Sequence, residues 1–144
     1  MRFWDASAIV ALLVPQGPTR RMEREFAADS ALTVWCLTAV EAWSGVCRLR
    51  RQGDLDSPGM RVARRRLEGF VERWAEVDDV RAVRSRAQRL LETHTLRAAD
   101  ALQLAAALVL VSDRPERLPL VTLDERLAEA AEREGFEVIG AIPR

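Results

Sequence analysis

The chain contains no lysine, no asparagine and no tyrosine, and all 22 of its basic residues are arginine. Without lysine it has no P-loop lysine for phosphate binding, no Schiff-base nucleophile and no lysine for a receiver-type phospho-aspartate site. There is one histidine, His94, and two cysteines, Cys36 and Cys47, with no C-x-x-C spacing. A zinc site built on several His or Cys ligands is therefore excluded, and both cysteines read as reduced core thiols. A net charge of 0 removes any global basic field that would draw in nucleic acid, so RNA contacts would have to come from local arginine clusters. Long hydrophobic runs are missing too. Ala8–Val14 falls well short of the roughly 20 residues a bilayer requires, and only Arg2 precedes it as a basic residue. The expectation is a cytoplasmic protein with no signal peptide and no membrane association.

What remains is an ordinary globular composition, 144 residues of which 49% are hydrophobic, and this implies one domain over residues 1–144. Short apolar strands alternate with amphipathic helices. Phe3–Trp4 reads as a strand running into a helix over Ala8–Val14, which Pro15–Pro18 ends. A helix follows over Thr19–Ala28, a strand over Ala31–Val34 and a long helix from Thr38 to about Gln52. Gly53–Gly59 reads as a loop, Met60–Trp74 as a helix, Glu76–Val77 as a strand and Val80–Glu92 as a helix. The most apolar helix spans Leu96–Val111. After the loop Ser112–Pro119 come a strand at Leu120–Val121, a helix over Asp124–Glu134 stopped by Gly135, and a last strand over Phe136–Ile139. This alternation predicts an α/β fold with a parallel sheet and helices on both faces.

Carboxylates stand at the ends of these elements. Asp5 lies between two apolar runs, directly after the first strand, with Ser7 beside it. Asp124 repeats the pattern after Leu120–Val121, with Thr122 as the hydroxyl. Glu41 sits one turn into the long helix, and Asp100 lies within the alanine-rich stretch LRAADALQLAAAL. Each has a structural explanation. Asp5 or Ser7 can cap the first helix. Thr38-x-x-Glu41 and Thr122-x-x-Glu125 have capping-box spacing, with Asp124 then in a first turn. Asp100 can pair with Arg97 three residues earlier. Against these stands convergence: in a parallel sheet the strand C-termini share one edge, so Asp5 and Asp124 meet there. Four carboxylates in one place stay ionised only with a cation among them. An all-oxygen ligand set selects a hard ion, Mg²⁺ or Mn²⁺, which suits phosphodiester chemistry.

The segments FWDAS, TAVEAWSGVCRL, LRAADALQLAAAL and VTLDERLAEAAEREGFEV occur in the order and at the spacing of a known family. Together they resemble PIN-domain ribonucleases, specifically the VapC toxins of VapBC toxin–antitoxin modules, across nearly the whole chain. The resemblance implies a three-layer α/β/α PIN-like domain with a five-stranded parallel sheet. It implies Mg²⁺- or Mn²⁺-dependent endoribonuclease activity on structured RNA such as tRNA or rRNA. The family's acidic site carries over to Asp5, Glu41, Asp100 and Asp124 as catalytic and metal-holding residues, with Ser7, Thr122 and Arg97 in support. The implied partners are a VapB-type antitoxin, the RNA substrate and a second copy in a homodimer.

Other residues read more plainly. Arg48, Arg50 and Arg51, and the set Arg61–Arg66, form a solvated face or touch RNA backbone. His94 reads as a helix-end residue, and Trp4, Trp35, Trp43 and Trp74 as core or interface. Ile9, Leu12 and Leu13 either join a groove for an antitoxin helix or are internal core. The competing function is a non-catalytic binding module of the same fold whose acids only cap helices. A metal-dependent phosphatase or phospho-acceptor domain is disfavoured by the missing lysine and by Asp5-Ala6-Ser7 where Asp-x-Asp would be needed.

Overall fold

A computed structural model describes residues 1–141. Five short strands, β1 (Arg2–Trp4), β2 (Leu32–Trp35), β3 (Ala75–Val77), β4 (Leu120–Thr122) and β5 (Val138–Gly140), form one sheet in the order β3-β2-β1-β4-β5. Every pairing is parallel, with Phe3 opposite Thr33 on one side and opposite Leu120 on the other. The helices are α1 (Ala6–Leu13), α2 (Thr19–Ala28), α3 (Thr38–Arg51), α4 (Ser57–Val71), α5 (Val80–Thr93), α6 (Ala98–Leu110) and α7 (Glu125–Arg133). A 3₁₀ turn at Pro115–Arg117 lies within the loop before β4.

Strand side chains alternate between two cores, as the period of a strand demands. Phe3, Trp35, Val77 and Leu120 pack with α5, α6 and α7. Trp4, Val34 and Val121 pack on the opposite face with α1 to α4. The result is a three-layer α/β/α arrangement. Strands buried on both faces read as short continuous apolar runs. The strand order reverses at β1, so the crevice outside the carboxyl ends of β1 and β4 is where an open α/β sheet binds its ligands.

Several local expectations change. Helix α4 begins at Ser57, not Met60. Asp56 caps it by accepting from the Gly59 amide at 2.7 Å, and Pro58 sits in the first turn, where no N–H is missed. A Cβ at Gly59 would stand 2.4 Å from Leu55 Cδ1, so a larger residue there would push the leucine side chain aside. Ile9, Leu12 and Leu13 are buried in the core, and Leu12 also lines a surface cavity, beside Phe26 and Phe70. Cys36 and Cys47 are free but only partly buried, so they are not core thiols in the full sense. Trp4, Trp35 and Trp74 are buried, whereas Trp43 is half-exposed and carries the Arg64 guanidinium 4.2 Å from its ring centroid. His94 ends α5 and bonds Glu134 at 2.7 Å. Gly135 ends α7 with φ +98°, and the Phe136 amide returns to the Ala131 carbonyl. Among the described residues no helix is long and apolar enough to cross a membrane.

Candidate active site

Asp5 leaves the end of β1 and caps α1, accepting from the Ser7 amide at 3.3 Å. Its Oδ2 also accepts from the Ser7 and Thr122 hydroxyls, each at 2.5 Å. Thr122 is the last residue of β4, the strand beside β1, so strand pairing itself brings the two together. The carboxyl is only 4% exposed. Burial raises its pKa, the hydroxyl and amide donors oppose that, and the charge of Asp124 adds to the rise.

Asp124 is the cap of α7, accepting from the Leu127 amide at 2.8 Å. Thr122 therefore does not cap α7. The Thr122 hydroxyl is committed to Asp5 and accepts from the Asp124 amide at 3.0 Å. The Ser7 hydroxyl completes the link, accepting from the Leu123 amide at 2.9 Å. Ser7 and Thr122 thus tie the two acid-bearing strand ends into one unit.

Glu41 and Asp100 cap nothing. Leu37 is the cap position of α3 and makes no side-chain cap bond, and Thr38 turns inward instead of capping. The Glu41 carboxylate accepts from Gln103 Nε2 at 3.0 Å. Burial lifts Glu41 to about 7 from the ordinary 4.5, with Gln103 opposing and the charges of Asp5 and Asp100 adding. Asp100 lies in the first turn of α6. Among the described residues its side chain makes no hydrogen bond or ion pair, so the pairing with Arg97 that would have explained it structurally is not formed. Burial lifts Asp100 to about 6, the charges of Asp124 and Asp5 add, and Arg97 and Arg126 pull the other way.

All four acids line one cavity of about 750 Å³ at the β1–β4 crevice, together with Ser7, Gln16, Ser44, Arg48, Gln52 and Arg97. Among the described residues no three His, Cys, Asp or Glu side chains already stand as a closed metal-binding group. The donor chemistry nevertheless fits a hard divalent ion. Three of the acids carry pKa values raised partly by one another, and no cationic side chain forms an ion pair with any of the four among the described residues. Arg97 and Arg48 sit at the rim, exposed. Arg50 is spent elsewhere, donating to the Leu55 carbonyl and the Ser57 hydroxyl. Gln103 escaped sequence reading because its only signal is one amide within an otherwise apolar helix face.

No curated protein sequence matches the chain. A solved structure described as a toxin–antitoxin complex from Klebsiella pneumoniae is similar over 88% of this chain and 88% of its own, with a TM-score of 0.56 at 17% sequence identity. At that identity the likeness carries the fold alone. The sequence matches the model of the PIN domain over residues 2–133. That span holds every strand but β5 and all four clustered acids, and on it the chain belongs to the PIN domain family, whose members are generally nucleases.

Proposed function

We propose that the protein is a Mg²⁺- or Mn²⁺-dependent endoribonuclease, the toxin of a VapBC-type module, acting on structured RNA such as tRNA or rRNA. The observation that carries this reading is the convergence of Asp5, Glu41, Asp100 and Asp124, from four separate elements, on one cavity at the sheet's switch point. Asp5, Asp100 and Asp124 would hold the ion, directly or through water, and Glu41 would complete the set or orient the attacking water. The bound ion supplies charge stabilisation at the phosphodiester and a water of lowered pKa.

The chain's own contribution is placement. Ser7 and Thr122 hold Asp5 Oδ2 from two sides, so the least exposed acid has one fixed orientation. Asp100, with no protein partner among the described residues, is open to ligation. Arg97 at the rim would take a substrate phosphate. Water attack with departure of the 3′ oxygen leaves 5′-phosphate and 3′-hydroxyl ends.

The same reading makes a VapB-type antitoxin the neutralising partner and a homodimer the expected assembly, with a single PIN domain as the unit that acts. The alternative is a non-catalytic module whose acids cap helices. Asp5 and Asp124 do cap α1 and α7, but Glu41 and Asp100 cap nothing, and that favours the nuclease. A Mn²⁺ titration by calorimetry on the antitoxin-free wild type and on Asp5→Asn separates the two. Binding that weakens at least tenfold in the variant supports the nuclease. No binding by the wild type leaves only the capping role.

A further inference from the structure

Gln103 is the single polar residue among the buried positions of α6, set between alanines and leucines. A buried amide costs free energy unless its hydrogen bonds are made, and a leucine there would bury without that cost. Both amide hydrogens are in use: Nε2 donates to Glu41 Oε2 at 3.0 Å and to Thr38 Oγ1 at 3.1 Å. When Glu41 is ionised, as holding a cation requires, it only accepts, and the contact then fixes which way the amide faces. Thr38 and Gln103 are both fully buried, so the bond between them is shielded from solvent, while the bond to Glu41 lies at the edge of the pocket, partly buried.

The geometry also has a pattern. On α3 the threonine stands one turn before the acid, and on α6 Asp100 stands one turn before the amide. Each helix therefore brings one pocket acid and one neutral polar group. The neutral pair joins the two helices beneath the acids.

From this arrangement we propose that Gln103 is a positioning residue of the site. Its amide, braced by Thr38, holds Glu41 Oε2 inward and leaves Oε1 as the oxygen available to an ion or a water. This rests on the metal-dependent nuclease reading of the same pocket.

The test is a double-mutant cycle on the full chain, with Mn²⁺ alone as the calorimetric probe and RNA cleavage as the second readout. Gln103→Met removes both donors at nearly constant length. The expected result is Mn²⁺ binding weakened about tenfold, the scale of lost outer partners at metal sites, and a fall in kcat with KM for RNA unchanged. Placed in a Glu41→Gln background, the same substitution is expected to cost nothing more, because its effect passes through Glu41. An equal loss in both backgrounds, or no loss in either, overturns the proposal. Should Gln103→Met fail to unfold cooperatively, Thr38→Val releases one of the two bonds and is held to the same epistasis. A wild type that binds Mn²⁺ and cleaves RNA while these variants match it sinks the role of Gln103 alone. A wild type that does neither sinks the nuclease reading, and this inference with it.

Discussion

The Thr122 hydroxyl donates to Asp5 Oδ2 across 117 residues of sequence, at 2.5 Å, inside the strand pair that forms the floor of the site. It is a buried bond to a group whose burial is otherwise unfavourable. Thr122→Val keeps the shape and removes the donor. The expected cost is about 1–3 kcal/mol, the range for stranding a buried polar partner, read as a lower urea midpoint with an unchanged m-value. A stability equal to the wild type's would mean that Ser7 alone satisfies the carboxylate.

Asp5 itself is expected to show the opposite balance. Burial raises its pKa, so the charged form is held at a cost to the fold. Asparagine is as good a helix cap as aspartate and carries no charge to desolvate. Its amide nitrogen, however, stands where Oδ2 accepts from the Ser7 and Thr122 hydroxyls, so relief of the buried charge is set against two lost bonds. Metal-free Asp5→Asn is therefore expected to melt close to the wild-type temperature while losing Mn²⁺ affinity at least tenfold. A lower melting temperature together with retained Mn²⁺ binding would make Asp5 a structural cap.

Much of this was legible in the sequence, and the capping spacings show where local rules stop. Alternating short apolar runs and helical periods carry the layer order, and a carboxylate after an apolar strand marks the strand end at both Asp5 and Asp124. Capping boxes stay open as alternatives at Thr38 and Thr122 because T-x-x-E spacing is identical whether the hydroxyl caps locally or turns to a distant partner. Thr38 and Glu41 instead bond Gln103, and the Glu41 bond spans 62 residues. Thr122 bonds Asp5 from the neighbouring strand. Tertiary partners took the hydroxyls that local rules assigned to helix ends. The reverse error occurred at Asp56, where a dense turn composition hid a cap that a proline in the first turn tolerates.

The raised acids predict a pH dependence for the metal-free protein. Glu41 has a folded pKa of about 7 against an ordinary 4.5, and Asp100 about 6 against 3.8. Between those values the folded state binds more protons than the unfolded one, so stability falls as pH rises. This contribution is complete below about pH 4 and is lost as pH climbs through 6 and 7. The melting temperature of the metal-free chain is expected to be lower at pH 8 than at pH 5.5, with Glu41→Gln flattening the profile. A saturating divalent ion should reverse the trend, because it binds the deprotonated set. A metal-free melting temperature independent of pH across this window would contradict the shifts.

The arginines of α3 divide by role. Arg48 lines the acidic cavity, exposed and without a hydrogen bond or ion pair among the described residues. Arg50 braces the turn into α4. If Arg48 contacts an RNA phosphate, Arg48→Gln is expected to reduce the slope of log affinity against log salt by about 1. Arg50→Gln is expected to leave that slope unchanged and to cost up to about 1 kcal/mol of stability. Filter binding across a salt series, with urea melts in parallel, reads both. Equal slopes for Arg48→Gln and the wild type would place the RNA path away from α3.

Asp100 gives the cleanest separation of function from fold. It lies in the first turn of α6, and its carboxylate bonds no protein group among the described residues, so the fold gains nothing visible from its charge. Its pKa, lifted to about 6 by burial first and by Asp124 and Asp5 next, shows what that charge costs when no cation balances it. Asp100→Asn is isosteric and removes the charge, so metal-free stability is expected to hold or rise. Mn²⁺ affinity should fall, and RNA cleavage should drop to the uncatalysed background at any Mn²⁺ concentration that leaves the wild type active. Full metal-dependent cleavage by Asp100→Asn would break the four-acid scheme, since the one acid with no structural employment would then have no chemical one either.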